Sequence, residues 1–349
     1  MDRRSFAAGA LLVLVVAGCT NGSTVAAVDD AFVDIGAGLH GPTGSAAGIY
    51  AQGLAHASAF ALDVEGRLWV ATADYTDSGS DGVYLVTAAG TTAVPVLAGL
   101  HTPLGLLWHD ESLYVSGAGG VVAYGGFDGT RFATQRTVVT LPAGVGEVNG
   151  LALGPDGRVW LGISAPCDHC TPTTEYAGAV VSFLPDGSDL RVDAGGIRAP
   201  VGLAFVPGTA DLLVTMNQRD DLGDATPADW LALVATGQAW GFPDCYGQGG
   251  TACAGVPGPV AALDRHAAVS GLAIVQSGSG ATREATAFVA EWALGRVQRV
   301  TLTGSARETV GIVAPFLTGL KNPVPVLAGA DGTLFVGDWT TGIVYRITS

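Results

Sequence analysis

The chain has 349 residues, 52 of them glycine, with 48% hydrophobic residues and a formal net charge of −15. Such an acidic chain argues against a nucleic-acid partner, because phosphate binding needs a basic face. The length allows a large core in one domain or two. Abundant glycine with few charged residues is typical of buried strands joined by tight turns.

Residues 1–18 are predicted to be a signal peptide. Arg3 and Arg4 give it a positive start, and the apolar run over 7–17 is too short to span a bilayer. The run ends in Val-Ala-Gly-Cys, which resembles a bacterial lipobox, so Cys19 is the predicted lipidation site. An ordinary signal peptide with a chance cysteine is the alternative. We expect an exported protein, periplasmic or at the cell surface, held on the outer face of a bacterial membrane by that lipid only.

Residues 19–44 are predicted to be a flexible tether, because Thr, Ser, Gly, Ala and Asp dominate this stretch. The folded body is then 45–349. Within it, 228–235 is the one stretch expected to form a short helix.

A ten-residue pattern recurs along the body. Its copies start at Gly53, Gly99, Gly144, Gly196, Arg265 and Gly319. Most copies lead into an apolar strand, a turn and further strands, and Asp-Gly turns at 156–157 and 331–332 are hairpin signals. Four strands in about 45 residues, repeated along the chain, predict an all-β fold, a six-bladed β-propeller of four-stranded antiparallel blades. The last strand, near 344–348, is expected to close the ring by pairing with a strand within 34–51.

The longest interval between copies holds an acidic insertion, 216–258. Asp220, Asp221 and Asp224 crowd one loop there. Such a density of hard oxygen ligands suits calcium, and the alternative is that these side chains cap local turns.

The chain has five cysteines, and four remain if Cys19 carries lipid. An even number in an exported protein predicts two disulfides. The simplest pairing is local, Cys167–Cys170 and Cys245–Cys253. A metal or redox site at the Cys-x-x-Cys is the alternative.

The third residue of each repeat is expected to start the innermost strand of a blade, so that equivalent positions ring one mouth of the central channel. These positions are Ala55, His101, Gly146, Arg198, Ala267 and Lys321, and their followers are His56, Thr102, Glu147, Ala199, Ala268 and Asn322. A ring that holds Arg, Lys and His suits a polyanionic ligand. A solvated channel rim is the alternative.

The body resembles the glucose/sorbosone dehydrogenase family over roughly 53–347. The resemblance rests on Asn-Gln-Arg-Asp-Asp-Leu-Gly-Asp at 217–224, Gly-Phe-Pro-Asp-Cys-Tyr-Gly at 241–247, Arg-Ala-Pro-Val-Gly-Leu-Ala at 198–204, Leu-Gly-Pro-Asp-Gly at 153–157 and Val-Ala-Glu-Trp at 289–292. It implies a six-bladed propeller that oxidises a sugar or aldehyde with pyrroloquinoline quinone (PQQ) and calcium. It also implies that Arg198, Lys321 and Asn322 bind the quinone.

Three positions depart from the family pattern. The family has a catalytic His where this chain has Gly146, an Asn at Ala199, and a Glu for calcium at Trp230. Glycine cannot act as a base, so Glu147 and His101 become the candidates, and Gly146→His is expected to raise turnover. The second hypothesis is a catalytically silent propeller that binds carbohydrate or a protein partner.

Overall fold

The computed structural model describes residues 31–76, 80–246, 250–251, 253–277, 284–304 and 308–349. In these residues the strands form six blades of four antiparallel strands each, preceded by a two-stranded hairpin. The predicted six-bladed β-propeller is confirmed. The predicted signal peptide and Cys19 lie outside the described residues. No helix in the described part of the chain is long and apolar enough to cross a membrane.

The first half of the propeller contains three blades. Blade 1 consists of β4 (Ala57–Leu62), β5 (Leu68–Thr72), β6 (Asp81–Val86) and β7 (Val94–Leu100). Blade 2 consists of β8 (Gly105–His109), β9 (Ser112–Gly117), β10 (Gly120–Phe127) and β11 (Phe132–Thr140). Blade 3 consists of β12 (Val148–Leu153), β13 (Val159–Ile163), β14 (Ala179–Phe183) and β15 (Arg191–Gly195).

The second half contains the other three blades and the closure. Blade 4 consists of β16 (Ala199–Phe205), β17 (Leu212–Asn217), β18 (Trp230–Val234) and β20 (Ala261–Ala262). Blade 5 consists of β21 (Val269–Ser277), β22 (Glu284–Glu291), β23 (Arg296–Thr303) and β24 (Val310–Leu317). Blade 6 consists of β25 (Pro323–Ala328), β26 (Leu334–Asp338), β27 (Ile343–Thr348) and β3 (Ala46–Ala51). Short 3-10 turns occupy Gly223–Ala225 and Trp292–Leu294.

The innermost strands are those that follow the repeat copies. Each of β4, β8, β12, β16, β21 and β25 contacts the next, and β25 contacts β4, so the ring is closed. A glycine recurs at the seventh position of the repeat in four blades, at Gly105, Gly150, Gly202 and Gly271. A Cβ atom at any of these would lie closer than 3.0 Å to a backbone carbonyl of the next inner strand. The repeated glycine therefore permits the close approach of neighbouring blades.

The predicted closure of the ring is confirmed, because β27 pairs with β3 in antiparallel register, with Val344 opposite Ala51. The predicted tether was too long. Residues inside 19–44 form β1 (Phe32–Gly36) and β2 (Leu39–Pro42), and β2 bonds to blade 5 through His40 and Thr318. Ile35 and Leu39 are buried in the core, which is why this segment is ordered.

The prediction of a helix at 228–235 was wrong. This stretch contains β18, whose apolar residues are mostly buried between β17 and β20. The insertion 216–258 is consequently not one loop, since it contains a blade strand. It also contributes β19 (Gln238–Ala239), which pairs in parallel with β15 of blade 3.

Candidate functional site

A cavity of about 670 Å³ opens at the end of the channel where the inner strands begin. We call it the channel-mouth cavity. Its lining is formed by residues 58, 74–75, 104, 145–147, 149, 164–168, 198–199, 201, 217, 268–270, 292, 324 and 339. The site residues Glu147 and Arg198 that the sequence predicted both lie on this lining.

The floor of the cavity carries polar side chains that are held by neighbouring strands. Asn149 donates from Nδ2 to the Pro200 carbonyl at 2.8 Å and to Ser164 Oγ at 3.0 Å. Ser58 Oγ donates to the Pro103 carbonyl at 2.6 Å. Asn217 Oδ1 is different, because it is buried and accepts no hydrogen bond from the described residues. An unpaired buried acceptor favours a ligand that brings a donor.

One wall of the cavity is aromatic. Tyr75, Trp292 and Trp339 come from blades 1, 5 and 6, which are adjacent in the ring. The Trp292 and Trp339 rings are 6.3 Å apart at 71°, and Trp339 Nε1 donates to the Ala73 carbonyl at 2.9 Å. Because Ala73 lies two residues before Tyr75, this bond holds the Trp339 ring of blade 6 against the segment of blade 1 that carries Tyr75.

The facing wall comes from blades 3 and 4. The backbone carbonyl of Glu147 accepts a bond from Ser164 at 2.9 Å, which fixes the main chain, while the side chain is exposed. Among the described residues, no side chain or backbone group bonds to the Glu147 carboxylate. Burial of the hydroxyl, followed by the charges of Glu147 and Asp81, raises the pKa of Tyr75 to about 12. A tyrosine hydroxyl is neutral at pH 7 even at its ordinary pKa of about 10, so Tyr75, which is 58% exposed, is a neutral donor.

Arg198 enters the same wall and is already paired. Its Nε and Nη2 lie 3.0 Å and 2.8 Å from Asp168 Oδ1. Asp168 also accepts the backbone N–H groups of Asp220 and Asp221, the latter at 2.9 Å. Asp168 thus joins blade 3, Arg198 and the acidic insertion.

Both predicted disulfides, Cys167–Cys170 and Cys245–Cys253, are present. The first closes the short loop that presents Asp168, and Cys167 itself lines the cavity. Sequence reasoning missed Asp168. Its position between two paired cysteines was the available signal.

Three other predicted site residues lie outside the cavity lining. His101 lines a separate groove with residues of blade 2. Lys321 donates its backbone N–H to Asp338 at 2.6 Å, and it is exposed and not among the lining residues. Asn322 donates to the Trp292 carbonyl at 3.0 Å and accepts from Thr340 at 2.6 Å. These bonds hold the main chain of Trp292 beside the segment that carries Thr340.

Two of the three predicted calcium ligands in the insertion have carboxylates with protein partners. Asp221 accepts two hydrogen bonds of 2.6 Å from Arg219, and this pairing lowers the pKa of Asp221. Asp220 lies 2.8 Å from His266 Nδ1, and this contact raises the pKa of His266. Asp224 lies in the 3-10 turn, where its backbone carbonyl accepts a bond from Arg265.

A second grouping of possible metal ligands was not predicted. Single ligand atoms of Asp168, His169 and Asp221 lie within 4.8 Å of one another. Two of the three side chains are carboxylates that already pair with arginines. Calcium at Asp220, Asp221 and Asp224 stays a prediction.

Comparison with known proteins gives a likeness in structure only. No protein-family model matches the sequence, and no curated protein matches it. A putative oxidoreductase (glucose dehydrogenase) of Thermus thermophilus is 20% identical with a TM-score of 0.71, covering 87% of this chain and 100% of that chain. The chain has the fold of sugar dehydrogenases.

Two further structures of this fold are of sugar dehydrogenases that use the quinone. The PQQ-bound aldose sugar dehydrogenase of Streptomyces coelicolor is 20% identical with a TM-score of 0.68, covering 88% of this chain and 99% of that chain. The holo PQQ domain of pyranose dehydrogenase from Coprinopsis cinerea is 16% identical with a TM-score of 0.72, covering 89% and 97%. The resemblance to sugar dehydrogenases predicted from the sequence is confirmed for the fold.

The charges of the lining test whether PQQ fits the channel-mouth cavity. The described lining residues include the carboxylates Asp74, Glu147 and Asp168 and one cationic side chain, Arg198. Arg198 is neutralised by Asp168. A tricarboxylate would therefore meet a net negative surface with no unpaired cationic partner among these described residues, and like charges repel strongly at short range. Among the described lining residues, PQQ could be met only by Arg198, and only if this side chain exchanges Asp168 for a carboxylate of the cofactor.

Proposed function

We propose that this protein binds a sugar in the channel-mouth cavity of its sugar dehydrogenase fold. One observation carries the proposal. An aromatic wall of Tyr75, Trp292 and Trp339 faces a polar wall that holds Glu147 and Arg198. A sugar ring presents apolar faces to aromatic side chains and hydroxyl groups to donors and acceptors, and ligand sites combine these two features.

The side chains have separate roles in this proposal. Trp292 offers an exposed face for the apolar side of the sugar ring, and Asn322 holds the backbone of Trp292. Glu147 accepts a hydrogen bond from a sugar hydroxyl, and Tyr75 remains a neutral donor. If a hydroxyl proton is removed at this site, Glu147 is the carboxylate positioned to take it.

Titration of the purified protein with a panel of aldoses, followed by calorimetry and by tryptophan fluorescence, tests sugar binding. We expect Trp292→Ala to weaken binding by roughly tenfold, as for loss of an aromatic contact in a binding site. Phe32→Ala is the matched control, because Phe32 is 40% exposed but lies outside the cavity. Absence of sugar binding by the folded protein, or equal effects of the two variants, overturns the proposal.

A second candidate function is oxidation of the bound sugar with PQQ. The likeness in fold to two structures described with PQQ favours it. When bound, the quinone supplies a two-electron acceptor. A PQQ titration by calorimetry and quinone absorbance, with and without calcium, separates the candidates. Binding that is lost in Arg198→Ala, with dye reduction by aldoses, supports oxidation. No binding under either condition leaves the sugar-binding function alone.

We also propose that the protein is exported and anchored through Cys19. The two disulfides support export, because such bonds persist in oxidising compartments. Labelling with a fatty acid tests the anchor. Incorporation should disappear in Cys19→Ala, and equal incorporation in both proteins rejects the lipidation site.

A further inference from the structure

We propose that the channel-mouth cavity selects a ligand that carries an ammonium group, and that within the proposed sugar-binding function this ligand is an amino sugar. The inference deepens the proposed function and rests on it for the sugar part only. It starts from the charge balance of the lining.

The described lining carries more negative than positive charge. Arg198 and Asp168 form an ion pair with each other. Asp74 accepts hydrogen bonds from the hydroxyls of Thr76 and Ser80 at 2.8 Å and 2.6 Å. The Glu147 carboxylate has no hydrogen-bond or ion-pair partner in the described part of the chain.

The aromatic wall lies beside these carboxylates. Tyr75 directly follows Asp74 on one loop, and Trp339 of blade 6 lies next to that loop because its Nε1 donates to the Ala73 carbonyl. The faces of aromatic rings attract cations, and Trp does so most strongly. Aromatic rings beside carboxylates are the arrangement that recognises organic ammonium groups, whereas a hard inorganic cation prefers oxygen ligands.

Asn217 gives an independent indication. Asn217 lines this cavity and a small neighbouring pocket, and its buried Oδ1 accepts no hydrogen bond from the described residues. A ligand rich in N–H and O–H donors satisfies this acceptor, and a carboxylate group does not. An amino sugar supplies ammonium and hydroxyl donors together.

Calorimetric competition at about pH 6, where amines are protonated, tests the inference with four probes. The probes are glucosamine, glucose, glucuronate and tetramethylammonium. We expect glucosamine to bind roughly tenfold more tightly than glucose, as for a charge-assisted bond in place of a neutral one, and glucuronate to bind most weakly. Added salt should weaken glucosamine binding and leave glucose binding unchanged.

Two variants assign the selectivity to the cavity. Glu147→Gln should bring the affinities for glucosamine and glucose close together, and Asp74→Asn should do so in part. Glu111→Gln is the control, since Glu111 is exposed in the turn after β8 and lies outside the lining. Retention of the full preference in both cavity variants rejects the assignment.

The outcomes separate this inference from the proposed function. Equal binding of glucose and glucosamine, or a preference for glucuronate, overturns ammonium selection and leaves sugar binding intact. Binding of tetramethylammonium without binding of any sugar retains the ammonium site and overturns the sugar-binding function. Failure of all four probes to bind the folded protein overturns both.

Discussion

Arg198 and Asp168 form an ion pair across two blades, with the guanidinium Nε and Nη2 at 3.0 Å and 2.8 Å from one carboxylate oxygen. The same carboxylate accepts backbone N–H groups of the insertion. The cationic side chain expected to attract an anionic cofactor is therefore used to hold the wall of the cavity. This pairing gives the lining its negative balance.

Asp168→Asn should lower the free energy of unfolding by about 1–3 kcal/mol, because it removes a charge-assisted pair that is mostly shielded from water. It should also release Arg198, so that anionic sugars bind better than in the parent protein. Urea denaturation and titration with glucuronate measure the two effects. Asp110→Asn is the control, since Asp110 lies in an exposed turn. Equal stability of Asp168→Asn and the parent would show that the pair contributes nothing.

Gly146 will not accept a side chain. A Cβ atom there would lie closer than 3.0 Å to the carbonyl oxygens of Ser164 and Ala165. Gly146→His is therefore not expected to raise turnover, because the main chain of blade 3 leaves no room for a side chain at this position. Gly146→Ala should destabilise the fold by about 1–3 kcal/mol through overpacking.

Gly48→Ala is the matched control for Gly146→Ala. Nothing lies within 4 Å of a Cβ atom at Gly48, so this substitution should be neutral or slightly stabilising. Thermal unfolding of the two variants side by side makes the comparison. Equal melting temperatures would mean that blade 3 relaxes around the added methyl group.

The fold could be predicted from the sequence because a propeller repeats one local pattern. Each copy places an apolar strand after the same turn, and the glycine at its seventh position marks the close approach of neighbouring blades. The hairpin β1–β2 could not be recognised in the same way. Its short strands lie outside the repeat, and its burial depends on Ile35 and Leu39 packing against blades 5 and 6.

The site could be predicted only in part, because the repeat gives the position of a residue and not the direction of its side chain. The follower positions His56, Thr102 and Ala268 have left-handed backbone conformations, with φ of 65°, 46° and 50°. Glu147, the follower in blade 3, is not among these left-handed residues, so the main chain turns differently at corresponding positions of the blades. Glu147 lines the cavity, whereas His101 does not. Asp168 lies outside the repeat, so no periodic pattern marks it.

The disulfide Cys245–Cys253 should contribute more to stability than Cys167–Cys170. It closes a longer loop, with a sequence separation of 8 against 3, and Cys245 is buried. Replacing both cysteines of the longer loop by serine should cost about 2–3 kcal/mol from loop entropy, with a smaller cost for the shorter one. Urea unfolding of the two double variants measures this. A larger loss from the Cys167 and Cys170 pair would indicate that the Asp168 contacts outweigh the loop entropy.

Asp229 should make the stability depend on pH. Its carboxylate is buried and accepts the backbone N–H of Gln218 at 2.7 Å, and burial raises the pKa of Asp229 to about 6. The pKa of an exposed aspartate is about 3.9. Between this pH and about 6, the folded protein therefore keeps a proton on Asp229 that the unfolded chain has released. The contribution of protonated Asp229 to stability is fully present below about pH 4 and is lost as the pH rises through about 6.

The free energy of unfolding of the parent relative to Asp229→Asn should therefore fall by about 2–3 kcal/mol between about pH 4 and pH 7. Urea denaturation across this range measures the difference, with Asp110→Asn as the control that should show no such slope. A difference between parent and Asp229→Asn that is constant with pH would show that the pKa of Asp229 is the same in the folded and unfolded chain.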